Sequence, residues 1–223
     1  MDFLAVFARW PAAGRVKTRL SPALPSELAR DLYEAMLRDI LETGRASGIE
    51  RRYLYWADPP KDRPWLDLAR AAGFQESLQR GADLGLRLEA AFDELLAGAD
   101  DHAVVVGADA PELQAPVVRS AFSSLFRHDL VLGPTRDGGY YLVGLRRRAP
   151  EIFRDVPWGT GKTLARTLEN AKALGLTVAR LEALDDVDTP EDLVRLLARC
   201  HARPGPCPNT AEALRRMCLL PSA

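Results

Sequence analysis

Residues 3–8, Phe-Leu-Ala-Val-Phe-Ala, form an unbroken apolar run of the length expected for a strand buried on both faces. Further on, Leu28, Leu32, Met36 and Ile40 recur on one stripe and predict a helix over 26–42, closed by Gly44 and Gly48. The pattern then predicts a strand over 53–56, a short helix over 65–72, a weak strand over 74–78 and a helix over 84–96. Ala-Val-Val-Val at 103–106 is the clearest buried strand in the chain, followed by a helix over 117–126. Strands at 130–132 and 140–143 face each other across a turn. A helix over 163–174, a strand near 176–181 and a helix over 190–200 complete the order. Alternation at this spacing predicts one α/β domain: a mostly parallel sheet between two helical layers, Rossmann-like, with the pair around Asp137-Gly138 as an antiparallel insertion. The break at Pro204-Gly205-Pro206-Cys207-Pro208 divides the chain into a domain over 1–203 and a short helical tail over 204–223.

Composition narrows the class without naming a chemistry. The 223 residues are 47% hydrophobic and 27% charged, which is ordinary for a globular chain and excludes a wholly disordered one. Thirty basic against thirty-one acidic residues leave a net charge of −1, so nothing favours a nucleic-acid partner. No stretch approaches the ~20 apolar residues of a membrane span. The three cysteines, Cys200, Cys207 and Cys218, crowd the tail in an odd number. They are read as free thiols of a reducing, cytoplasmic environment rather than as a disulfide framework or a zinc site.

In an open parallel sheet, ligands bind beyond the carboxyl ends of the strands, so the residues that follow each strand carry the candidate chemistry. After the first strand, residues 9–20 hold Arg9, Arg15, Lys17 and Arg19 with no acidic residue, and Gly14 lends flexibility. Guanidinium forks and free backbone N–H groups in such a loop suit a diphosphate. After the 103–106 strand comes Gly107-Ala108-Asp109-Ala110-Pro111, where Asp109 is placed to hold Mg²⁺ together with substrate phosphates. After the last strand comes Asp185-Asp186-Val187-Asp188-Thr189-Pro190-Glu191-Asp192. Helix capping accounts for Thr189, Pro190 and Asp192, and leaves Asp188 as a second carboxylate for the same ion. Gly159-Thr160-Gly161-Lys162-Thr163 imitates the end of a P-loop, but Val156 stands where that motif needs its first glycine. His102, His128 and His201 are scattered, and no nucleophile elbow is present.

Taken in order, six segments resemble the small bacterial glycosyltransferases of the nucleotide-diphospho-sugar transferase superfamily, some of them linked to arsenosugar biosynthesis. They are 7–20 (through Lys17-Thr18-Arg19-Leu20), 79–87, 107–111, Asp137-Gly138-Gly139-Tyr140-Tyr141, 158–160 and 186–193. The resemblance spans about residues 2–200 and implies the type A glycosyltransferase fold. It implies that Asp109 and Asp188 bind Mg²⁺ or Mn²⁺, and that Arg9, Gly14, Lys17, Arg19, Gln79 and Asp83 bind the nucleotide and its phosphates. Gly138, Gly139, Tyr140 and Trp158 would meet the sugar or acceptor, and Asp137 would join Asp109 as a catalytic carboxylate, binding the acceptor or drawing off its proton. Two departures stand out. Ala23 replaces the lysine that closes the first loop in sugar-phosphate nucleotidyltransferases of this fold, and Gly159 follows Trp158 where serine is expected.

The implied function is metal-dependent transfer of a sugar from a nucleotide-diphospho-sugar donor to a small-molecule acceptor. The alternatives are nucleotidyl transfer, in which an NTP reacts with a sugar phosphate or cofactor phosphate and releases pyrophosphate, and nucleotide binding without turnover.

Overall fold

The first strand, β1 (Asp2–Ala8), divides its side chains between two cores. Leu4, Val6 and Ala8 enter one and Phe3, Ala5 and Phe7 the other, as the two-residue period of a strand demands. The computed structural model describes residues 1–59, 63–202 and 205–221. The other strands are β2 (Arg51–Trp56), β3 (Phe74–Leu78), β4 (His102–Gly107), β5 (Leu130–Pro134), β6 (Tyr140–Leu145) and β7 (Val178–Arg180), in the spatial order β3-β2-β1-β4-β6-β5-β7. All neighbours pair in parallel except β6, which runs against β4 on one side and β5 on the other. The expected α/β sheet with an antiparallel insertion is what the chain forms.

Helices α1 (Ser26–Ala46), α2 (Arg63–Ala71) and α4 (Ala115–Leu125) cover one face, and α3 (Leu84–Leu95) and α5 (Thr163–Ala173) the other. Two boundaries differ from the sequence pattern. Helix α1 continues past Glu42 because Gly44 lies inside it: a Cβ there would sit 2.6 Å from the Phe74 ring, so this glycine makes room for packing instead of stopping the helix. Strand β7 is three residues long, shorter than the predicted 176–181.

The largest departure concerns the tail. Arg203 and Pro204, at the expected boundary, lie outside the described residues, but α6 (Pro190–Ala202) and α7 (Pro208–Arg216) flank them. A third apolar cluster joins Leu32 and Met36 of α1 to Leu193 and Leu196 of α6 and to Cys207, Leu214 and Leu220. Asp39, on the buried stripe of α1 and only 2% exposed, caps α7 from outside. It accepts from the backbone N–H groups of Asn209 and Thr210 at 2.9 and 2.8 Å, and from both of their side chains. These donors are the orphan groups of a helix N-terminus, satisfied here by a neighbouring helix. The segment expected as a separable tail is therefore part of the core.

Asp129, at the start of β5, is a second buried carboxylate with a structural task. It accepts from Thr177 N and Oγ1 at 2.9 and 2.7 Å and from the Nε atoms of Arg146 and Arg147. Burial opposes its charge, yet these bonds hold its carboxyl well below the usual carboxylate range. A folded-state pKa below the unfolded value favours the native state above about pH 4, and that contribution disappears as pH falls. Asp129→Asn is expected to lower unfolding free energy by about 1.5–3 kcal/mol near neutrality. The gap to wild type should narrow progressively as pH falls below about 4 in urea titrations; a gap independent of pH would contradict this role.

Candidate active site

The loop after β1 is anchored by its apolar residues. Trp10 packs on Trp56 with ring centroids 5.0 Å apart, and Val16 and Leu20 are buried. Tyr33, from α1, grips the loop's first residue: its hydroxyl accepts from Arg9 N at 2.8 Å and donates to Arg9 O at 3.3 Å. Gly14 takes φ +71° in the turn that bonds Arg15 N to Ala12 O, a left-handed conformation that suits glycine. Held at both ends, the loop presents Arg9, Arg15 and Arg19 to a cleft of about 680 Å³ over the carboxyl ends of β1 and β4. Among the described residues, five cationic side chains (Arg87 and Lys17 being the others) and three carboxylates, Asp83, Asp109 and Asp188, line it. An excess of fixed cations in an open cleft favours a polyanionic ligand.

Lys17 departs from its neighbours. Its backbone lies at φ +49°, and its side chain is 2% exposed where the other loop cations reach solvent. The ammonium is bonded to Asp109 Oδ1 and, at 2.8 Å, to Asp188 Oδ1. Burial disfavours its charge, but Asp109 and Asp188 outweigh that and raise its pKa above the ordinary lysine value. The two carboxylates come from distant elements. Asp109 follows β4, while Asp188 precedes α6, where Asp192 accepts from the backbone N–H groups of Asp188 and Thr189 at 3.0 and 2.7 Å. A backbone bond from Val187 N to Asp109 O at 2.9 Å ties the two loops together.

A pair of carboxylates meeting at one cation is the donor set a hard divalent ion takes alongside substrate phosphates. Asp109 and Asp188 fit such an ion in type and convergence, with the Lys17 ammonium as its stand-in. Among the described residues no group of three or more His, Cys, Asp or Glu comes together that could hold a metal alone. Asp186 lies beside the pair. Burial, then the charges of Asp137 and Asp188, push its carboxyl up to about 6.

The remaining predicted residues divide between cleft and scaffold. Gln79 lines the cleft, but its Nε2 donates to Tyr55 O at 2.9 Å and to Ala8 O at 3.3 Å, tying β3 across to β2 and β1. Asp83 also lines it while capping α3, accepting from Leu86 N at 2.9 Å. Tyr140 forms part of the opposite wall, and Trp158 stands edge-on to it, 6.2 Å between centroids. Trp158 packs on the start of α3, where a Cβ on Gly85 would lie 3.0 Å from its Nε1. Asp137 is engaged in its own turn, accepting from Thr135 Oγ1 and from Gly139 N at 3.0 Å. Gly138 takes φ +90°, and a Cβ there would lie 2.2 Å from Gly161 O, so the segment at 159–163 closes directly on this turn. Gly14, Asp137, Gly138, Gly139 and Trp158 thus support or flank the cleft, whereas the other predicted residues face it. The segment 159–163 leads from a turn into α5, with no strand before it.

Sequence reasoning passed over Tyr33, Arg15 and Arg87 as site residues. Arg15 lay in plain view in the basic loop. Arg87 shared the 79–87 segment, where its Nε now donates to Gly81 O at 3.1 Å. Tyr33 had a weaker signal, an aromatic on the inner stripe of α1 that packing alone would explain.

Comparison with known proteins places this arrangement in a lineage. The 2-phospho-L-lactate guanylyltransferase of Methanothrix thermoacetophila is 30% identical over 189 residues, covering 81% of this chain and 77% of the relative. That of Methanocaldococcus jannaschii is 26% identical over 183 residues, covering 80% and 75%. Among solved structures, a Desulfovibrio desulfuricans protein provisionally assigned as a nucleotide-diphospho-sugar transferase superposes with a TM-score of 0.84 at 28% identity, covering 96% of this chain and 94% of its own. The fold is thus that of the nucleotide-diphospho-sugar transferases. The family described as "Uncharacterized protein conserved in bacteria (DUF2064)" matches residues 40–160, from within α1 to the turn before α5, and the chain belongs to it.

Proposed function

We propose that the protein is a nucleotidyltransferase that joins an NTP to a small phosphorylated acceptor and releases pyrophosphate. The observation that carries the proposal is the convergence of a basic loop with two carboxylates, Asp109 and Asp188, above the carboxyl edge of a parallel sheet. Glycosyl transfer, the leading expectation from the sequence, used the same segments, because both chemistries grip a nucleoside diphosphate moiety. The named activity of the 30%-identical relative tips the balance to nucleotidyl transfer. By extension from that name, GTP and a phosphorylated hydroxy acid are the first donor and acceptor to test.

Arg9, Arg15 and Arg19 would hold the β- and γ-phosphates through charge-assisted bonds. A phosphate oxygen of the acceptor attacks the α-phosphorus, the bond from that phosphorus to the bridging oxygen breaks, and pyrophosphate departs with the electron pair. Arginines on the departing group stabilise charge where it grows. A divalent ion held by Asp109 and Asp188 would neutralise charge on the phosphates. Tyr33 keeps Arg9 in register from below. Tyr140 and the turn at 135–139 flank the side left for the acceptor.

The test is to offer each NTP with Mg²⁺ and a panel of phosphorylated small acids and sugars, and to measure pyrophosphate. Acceptor-dependent pyrophosphate is expected; release of a nucleoside diphosphate from a sugar nucleotide would instead restore glycosyl transfer. In the same preparation, Arg19→Ala should weaken NTP binding by roughly ten- to a hundredfold in titration calorimetry, the loss of one charge-assisted bond. An unchanged affinity would leave the loop as a solvated surface.

A further inference from the structure

The basic loop contributes one cation that is buried at the cleft wall where the others are exposed. The Lys17 ammonium is buried and bonded to both carboxylates proposed above to carry the metal, and it uses Oδ1 of each. The carboxylates themselves remain 51% and 38% exposed, so the cleft reaches them although it scarcely reaches Lys17. An ion and the ammonium compete for these carboxylates. Mg²⁺ sits about 2.0–2.1 Å from its oxygen ligands, and an ammonium on the same two oxygens would stand within a few ångströms of it, where like charges repel strongly.

Lys17 is also tethered to the residues that receive the nucleotide. It lies two positions from Arg19, at φ +49° and ψ +36°, immediately before the 3₁₀ turn Thr18–Leu20. A left-handed backbone at a non-glycine residue costs free energy and persists only where the surroundings enforce it. Here the ion contacts do so, together with the Tyr33 ring, whose centroid lies 5.9 Å from the ammonium. A triphosphate on Arg9, Arg15 and Arg19 offers the ammonium a competing set of anionic oxygens on its own loop.

Resting on the metal reading above, we infer that Lys17 is a gate on the metal position: it occupies the ion's ligands in the free protein and yields them when phosphates draw it away. Divalent ion and nucleotide then bind in concert, and the free protein resists idle loading with metal. Lys17 thereby acts twice, as internal counter-ion before binding and as phosphate ligand afterwards.

The test follows Mn²⁺ binding by electron paramagnetic resonance of the free ion, without nucleotide and with a non-hydrolysable GTP analogue. Wild type and Lys17→Met are compared, with Asp188→Asn as the variant that removes a ligand. Wild type should bind nucleotide-free Mn²⁺ only weakly and tighten with the analogue. Lys17→Met should bind nucleotide-free Mn²⁺ at least tenfold more tightly than wild type and show a correspondingly smaller gain from the analogue. Asp188→Asn should bind poorly under both conditions. Half-exposed carboxylates can be hydrated once the ammonium is gone, so Lys17→Met should keep a cooperative melt; if it does not, Lys17→Gln serves in its place. Nucleotide-free affinity in the lysine variant equal to or weaker than wild type overturns the gate and leaves the metal reading standing. Absence of Mn²⁺ binding by wild type even with the analogue overturns both.

Discussion

A chain ended at residue 202 is expected to be recovered unfolded or aggregated. Such a truncation removes Cys207, Thr210, Ala213 and Leu214, all essentially inaccessible to solvent, and Leu220 with them. Each lost leucine costs about 1.5–3 kcal/mol of burial, and the surfaces of α1 and α6 that they cover become exposed. Asp39 loses four donors at once. Water reaches Asp39 once α7 is gone, so each lost bond costs only about 0.5–1.5 kcal/mol. The total rivals the 5–15 kcal/mol by which a typical domain is stable. Size-exclusion chromatography and urea denaturation of the truncated chain decide the matter. A cooperative transition at the full-length midpoint would show that α7 is an accessory after all.

Replacement of Asp109 by alanine should be the most damaging single change to turnover. It deletes one of the two carboxylates at the proposed metal position and also half of the anchor that orients Lys17. If that costs about 4 kcal/mol of transition-state stabilisation, pyrophosphate release falls roughly a thousandfold. Folding should survive, because the Asp109 side chain is half exposed and Asp188 still pairs Lys17. Chelation of divalent ions should reproduce the loss in wild type and add little to it in the variant. A variant with most of its activity retained would remove Asp109 from the chemistry.

Much of the fold was legible because its signals are local. The unbroken apolar runs of β1 and β4, the stripe on α1 and the Asp-Gly turn between β5 and β6 each follow from one short segment. Asp109 and Asp188 were legible for a related reason: in a parallel sheet, the residue after a strand faces the ligand edge whatever the rest of the chain does. Lys17 was legible as part of the basic loop but not in its inward conformation, since that depends on two carboxylates 92 and 171 positions away. The docking of α7 was hidden by the Pro-rich break before it. One clue was present: Asp39 falls beside Met36 and Ile40 on a stripe otherwise apolar, and a carboxylate at a core position implies a polar partner to be found elsewhere. Gly138 reads in the sequence as the glycine of an Asp-Gly turn, and its further constraint comes from the distant Gly161.

Strand β6 is the one that runs against its neighbours, and this decides where the sheet can be altered. Its first residue, Tyr140, meets the edge at which β1, β4 and β5 finish, so the turn at 135–139 projects over the same rim as the basic loop. The half of the cleft proposed to take the donor is built from segments after β1, β3 and β4, whereas this turn and the segment at 159–163 flank the other half. Because Gly138 and Gly161 touch backbone to backbone, and Gly138 O accepts from Leu164 N at 2.9 Å, neither segment can lengthen or take a bulkier residue at the contact alone. Changes of acceptor preference within the family should therefore come as paired changes in these two stretches, leaving the basic loop and its carboxylates as they are.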